Sequence, residues 1–74
     1  MPELSSTIGN RTVLLPKVET AARAGVSHSY LYELISTNRF PRPVKVGRAS
    51  RWVSTEVDRW ITERIAERDG TMSA

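Results

Sequence analysis

Apolar residues recur at helical spacing in three stretches of this chain and at strand spacing in one. Val18, Ala21 and Ala22 lie three and four apart, a narrow stripe that predicts a first helix. It starts near Pro16, whose missing N–H has no partner in a first helical turn anyway. It ends at Gly25, which takes the left-handed cap conformation without a Cβ penalty. Leu31, Leu34 and Ile35 repeat the spacing. Ser27 suits the N-cap of this second helix, and Asn38, just past its end, suits a left-handed cap. The opposite side of the second helix carries Ser29, Glu33 and Ser36, flanked by Tyr30 and Tyr32. Helix, glycine-containing turn of about three residues, helix is the helix-turn-helix arrangement.

Phe40-Pro41-Arg42-Pro43 is not helical, because each proline pushes its predecessor toward extended geometry. Val44-Lys45-Val46 then alternates as a strand does. Gly47 to Ser50 supplies a turn and Arg51-Trp52-Val53 a return strand. In this hairpin Val44, Val46 and Trp52 are expected to face inward, with Lys45, Arg48 and Arg51 outward or at the tip. A third helix follows, capped by Ser54 or Thr55, with Thr55-x-x-Asp58 as a loose capping box. Val57, Trp60, Ile61 and Ile65 form its apolar face. Arg59–Glu63 and Arg64–Glu67 can pair along its exposed side, and Gly70 ends it. The predicted fold is mainly α with a small β-hairpin: a winged helix-turn-helix of three helices and a two-stranded wing. The expected domain is 13–69, between flexible tails at 1–12 and 70–74.

Composition narrows the function. The 74 residues include no cysteine and one histidine, so no thiolate metal site or disulfide exists and a metal centre is not expected. The longest aliphatic run, Val13-Leu14-Leu15, is far too short to span a membrane. The chain reads as cytoplasmic and nucleoid-associated, with no membrane, cofactor or small-molecule ligand. Glu63 and Glu67 share a helix face, but nothing nucleophilic or phosphate-cradling accompanies them, and no enzyme is expected.

The net charge is a modest +3, unevenly spread. From Leu34 to Thr55 there are five basic residues (Arg39, Arg42, Lys45, Arg48, Arg51) and no acidic one, whereas from Glu56 onward there are three basic and five acidic. A local basic patch is an electrostatic footprint for phosphate. An ordinary solvated loop is the bland alternative.

The stretches Gly25-Val26-Ser27, Tyr32-x-Leu34-Ile35, Arg39-Phe40-Pro41-Arg42-Pro43-Val44-Lys45-Val46-Gly47-Arg48 and Trp52-x-x-x-Glu56-Val57-Asp58-x-Trp60-Ile61 together resemble the AlpA family. These are small prophage-associated DNA-binding regulators, related to excisionases and to MerR-like winged helix-turn-helix domains. The resemblance runs from about Leu14 to Asp69. Asn38 stands where the family usually has glycine. The basic residues usual near His28 and Glu33 are missing, which shifts weight from the second helix onto the hairpin.

The resemblance implies sequence-specific binding of double-stranded DNA, with the second helix in the major groove, which is wide enough to admit it. Its reading surface would comprise Ser27, His28, Ser29, Tyr32, Glu33 and Ser36. Arg39, Arg42, Lys45, Arg48, Ser50 and Arg51, from the wing and its flanks, would bind phosphates or enter the minor groove, where negative potential favours arginine. Arg48, at the tip, leads this set. Alternatives are that Arg51 stacks on Trp52 or Trp60 and that Arg39 caps the second helix. Trp52, Trp60, Phe40, Leu31 and Leu34 are assigned to the core. The implied roles are transcription regulation and excision as a recombination directionality factor. A phage integrase and further copies of the chain on tandem sites are the expected protein partners. The rival reading is a protein-interaction module that inhibits a regulator or recruits an integrase without reading DNA.

Overall fold

In the computed structural model, which describes residues 12–70, the elements run β1 (Leu14–Leu15), α1 (Lys17–Ala24), α2 (His28–Ser36), β2 (Val44–Val46), β3 (Ala49–Val53) and α3 (Ser54–Asp69). The expected tails fall almost wholly outside the described residues. β3 is the central strand, with β1 and β2 antiparallel on its two sides. The molecule is a winged helix-turn-helix as predicted, with β1 added to the expected two-stranded wing. Leu15 pairs with Trp52 and Leu14 with Val53, so a short aliphatic run becomes the strand that ties the wing to the body.

The two helices of the helix-turn-helix end on the same device. Gly25 takes φ 73° after α1, and Val26 N–H donates to the Ala21 carbonyl at 3.1 Å. Asn38 takes φ 59° after α2, and Arg39 N–H donates to the Leu34 carbonyl at 2.8 Å. Both are Schellman closures, in which a left-handed residue lets the chain reach back to the last open carbonyls. Ser27 Oγ accepts from Tyr30 N–H at 3.1 Å, the N-cap bond expected of it.

The core is Leu15, Ala21, Leu31, Leu34, Phe40, Trp52 and Val57, with Val26, Ile35, Trp60 and Ile61 packed on it. Each side of the domain contributes one or two large residues, which is what a chain of this size can bury. Trp60 meets Phe40 edge-to-face at 4.9 Å and donates its indole N–H to the Arg39 carbonyl at 2.7 Å. Trp60 therefore clamps the segment leading into the wing, while Trp52, 1 % exposed, fills the centre.

Several expectations are corrected. In α1 the buried positions are Thr20 and Ala21, while Val18 is 65 % exposed and Ala22 also faces outward. Thr20 tolerates burial because its hydroxyl donates to the Pro16 carbonyl at 2.9 Å. Pro16 is the N-cap rather than the first helical residue. Neither Ser54 nor Thr55 caps α3, which starts directly from Val53 with no side-chain cap. Ser54 instead accepts from Val13 N–H at 2.9 Å and returns a backbone bond to the Val13 carbonyl at 2.8 Å. That reciprocal pair stitches β1 to the start of α3. On α3, Ile65 is exposed and lies outside the core.

The hairpin's faces also differ from the expectation. Val44 stands opposite Arg51 and Val46 opposite Ala49, while Lys45 stands opposite Ser50. Directly opposed residues share a sheet face, and neighbours along a strand alternate. Val44 and Val46 therefore lie with Arg51 on the outer face, away from Trp52, and are exposed. Lys45 and Ser50 share the inner side with Trp52. The cause is loop parity. Val46 and Ala49 flank a two-residue turn, Gly47-Arg48, with Gly47 at φ 64°. A three-residue loop would have set the valines opposite Ser50 and Trp52; the two-residue loop exchanges the faces.

Candidate nucleic-acid interface

The exposed side of α2 carries His28, Ser29, Tyr32, Glu33 and Ser36, as expected from the burial of Leu31 and Leu34 on the other. Their hydrogen-bonding capacities differ. Ser36 Oγ donates to the Glu33 carbonyl at 3.0 Å, so its hydroxyl proton is committed to the helix backbone. Ser27 uses its oxygen as the N-cap. Ser29 and His28 form no hydrogen bond or ion pair among the described residues. Glu33 lies 3.8 Å from the Arg39 guanidinium, a loose pair with both side chains more than half exposed. Arg39 also donates to Thr37 Oγ1 at 3.0 Å. It thus folds back on the end of α2, nearer its structural alternative than a free phosphate ligand.

On the wing, Arg42 reaches back to Asn38 Oδ1 at 3.2 Å, which joins the Pro-rich segment to the cap of α2. Lys45 donates to Ser50 Oγ across the hairpin at 3.2 Å. Arg51 is partly buried, and its guanidinium donates to the Ser50 carbonyl at 3.1 Å. It does not stack on a tryptophan; the cation over Trp60 is Arg64, at 5.0 Å. Arg48, exposed in the turn, forms no hydrogen bond or ion pair among the described residues. The positive φ of Gly47 is what presents it there.

Charge pairing divides these cations sharply. Arg23, Arg39, Arg59, Arg64 and Arg68 each have a carboxylate within 4 Å. Arg42, Lys45, Arg48 and Arg51 have none among the described residues. The α3 pairs anticipated in the sequence, Arg59–Glu63 at 3.6 Å and Arg64–Glu67 at 2.7 Å, are both formed. The hydrogen bond to Glu67 raises the Arg64 guanidinium further above its ordinary value and, from the other side, holds the Glu67 carboxyl below its own.

Lys17 was not among the anticipated contacts. Its ammonium lies 5.2 Å from the Tyr32 ring centroid and donates to the Tyr32 hydroxyl at 3.2 Å. Periodicity could not have found it, because a lone lysine in a first helical turn looks like any solvated residue. An open groove of about 1070 Å³ runs between the α2 exit and α3, with Tyr30, Phe40, Arg42, Trp60 and Glu63 in its walls. Among the described residues no cluster of His, Cys, Asp or Glu is placed to hold a metal ion, and no helix is long and apolar enough to cross a membrane.

No curated protein and no solved structure matches the chain. One family model does, over residues 11–65, and its description is Prophage CP4-57 regulatory protein (AlpA). The matched span takes in the helix-turn-helix, the wing and most of α3. The chain belongs to the AlpA family of prophage regulatory proteins.

Proposed function

We propose that this protein binds double-stranded DNA sequence-specifically for a phage or mobile element. It acts there as a transcription regulator, as an excisionase that bends DNA and assists an integrase, or as both. One observation carries the reading. Among the described residues, Arg42, Lys45, Arg48 and Arg51 are left without carboxylate partners, while every arginine outside the wing has one. Unpaired cations on a short ribbon are suited to displace counterions from a phosphate backbone. The exposed polar side of α2 supplies groups able to read base edges: Ser29 serves several bases, and Glu33 can accept from cytosine N4. Loss of the loose Arg39 pair would free Glu33 for that contact. The domain proposed to do this is 13–69, acting in the cytoplasm.

The test is duplex binding over a range of salt. With Arg48→Ala and Arg51→Ala combined, affinity for every duplex sequence falls, and the slope of log K against log salt falls by about 1.8, or about 0.9 for each phosphate released. Unchanged affinity and slope would remove the wing from the interface. Footprinting across DNA flanking the gene and any adjacent integrase gene then separates the roles. Tandem sites beside an attachment site favour excision, with copies of the chain bound side by side; a single site over a promoter favours regulation.

A protein-interaction role is the second reading, and the groove between the α2 exit and α3 favours it. It predicts that an integrase or regulator is bound without DNA, and that Tyr30→Ala, at an exposed groove residue, weakens that contact while leaving duplex affinity intact.

A further inference from the structure

Among the described residues, five cations have no carboxylate partner, and four of them belong to the wing. The fifth is Lys17, in the first turn of α1. It is held to one side of α2 by Tyr32, donating to the hydroxyl at 3.2 Å with the ring centroid 5.2 Å away. We infer that Lys17 and Tyr32 together form a phosphodiester-binding clamp on the α1 side of the recognition helix. The inference rests on the DNA-binding reading and adds to it a second phosphate anchor, outside the wing.

The argument is one of donors. Lys17 has three N–H groups and spends one on Tyr32. The Tyr32 oxygen accepts that bond, so its own O–H must point elsewhere, and among the described residues it has no acceptor. The pair therefore presents a fixed positive charge, two ammonium N–H groups and one phenolic O–H to the same patch of solvent. A phosphodiester offers one negative charge and two unesterified oxygens, which matches. Tyr32 is 52 % exposed, so the site is open to a ligand as large as a duplex. A helix that carries no lysine or arginine of its own from His28 to Ser36 would thereby gain an anchor where it has none.

The experiment compares the full-length parent with Lys17→Ala, Tyr32→Phe and the double variant, on a mixed-sequence duplex at several salt concentrations. Thermal unfolding is followed in parallel. Lys17→Ala is expected to lower the salt slope by about 0.9, the value of one phosphate. Tyr32→Phe keeps the charge and ring and is expected to lose roughly three- to tenfold in affinity, one hydrogen bond's worth, with the slope unchanged. The double variant is expected to bind no worse than Lys17→Ala, because both groups serve one phosphate. An unchanged slope in Lys17→Ala, or fully additive losses in the double variant, overturns the clamp. So does a loss of binding that merely tracks a lower melting temperature. A parent that binds no duplex at any salt overturns instead the DNA-binding reading on which the clamp rests.

Discussion

Between Phe40 and Val53 the chain carries four cations and no carboxylate; along α3 it carries three cations and five carboxylates. Both stretches are well exposed, and a count of basic residues would rank them nearly equal. Their chemistry differs because every α3 arginine has an anion within 4 Å, while among the described residues the wing's arginines bond only to neutral groups: an amide oxygen for Arg42 and a carbonyl for Arg51. A compact ion pair has a dipole's field, which fades within a few ångströms in saline. An unpaired cation keeps its field out to a Debye length of about 8 Å. What a basic segment can attract thus depends on where the carboxylates are, and the formal charge of +3 conceals that.

The comparison holds only while the wing is fixed to the body, and the largest predicted effect bears on that. Trp52 belongs to β3, sits at 1 % exposure and pairs with Leu15 of β1. Trp52→Ala should cost about 3–5 kcal/mol, enough to consume much of the stability of a domain this small. Urea unfolding measures it. Trp52→Phe should cost distinctly less, because it also removes the indole N–H, which has no partner among the described residues. A Trp52→Ala variant as stable as its parent would mean that the wing is not anchored through the core.

The next effect tests position against net charge. Arg48→Ala with Arg51→Ala and Arg59→Ala with Arg64→Ala each remove two positive charges. The wing pair should weaken duplex binding roughly tenfold or more at low salt, with the slope falling as given above. The α3 pair should leave the slope unchanged. Equal losses would show that bulk charge matters and placement does not.

The sequence made some of this legible and hid the rest. Four helix ends were readable because one local residue fixes each: Gly25, Ser27, Asn38 and Gly70 all adopt the conformation their chemistry favours, whereas the starts of α1 and α3 have no side-chain cap to signal them. The core of α2 was readable because Leu31 and Leu34 are large and regularly spaced. In α1 the stripe misled, since alanines and a threonine carry little hydrophobic signal and Thr20 is buried by a local hydrogen bond. The strand faces were misjudged because the valines were assigned inward by their apolarity, whereas a turn with an even number of residues sets them on the face of Arg51 and leaves Trp52 on the face of Lys45. Of the candidate site, the wing cations were legible from composition alone. The committed state of Ser36 and Arg39 depended on side-chain geometry, and the Lys17–Tyr32 contact spans 15 residues that no local pattern connects.

A smaller effect concerns the helix that presents the reading surface. Ser27→Ala removes the bond that Ser27 Oγ accepts from Tyr30 N–H and should cost about 1 kcal/mol. Because the frayed turn would include His28 and Ser29, duplex specificity should fall before wing-driven, sequence-independent binding does. The ratio of specific to random-sequence affinity measures this. A loss confined to non-specific binding would assign the reading role elsewhere.

The smallest effect asks whether pairing silences the cations of α3. Arg64 holds Glu67 through two bonds, at 3.1 and 2.7 Å, and the carboxyl is held below its ordinary value chiefly by them. A carboxyl depressed in the folded state contributes stability that is present above its unfolded value and lost as pH falls through the folded one. Glu67→Gln should therefore lower the melting temperature slightly at neutral pH, as expected for an exposed pair. The difference from the parent should shrink to nothing in acid, below the carboxylate range. The same substitution leaves Arg64 without its nearest anion. If α3 lies outside the interface, the salt slope for duplex binding stays at the parent value even with that guanidinium released. A slope steeper by about one phosphate, 0.9, would mean that α3 faces the DNA and was kept from it only by its own carboxylates, and the contrast between helix and wing would then be one of pairing alone.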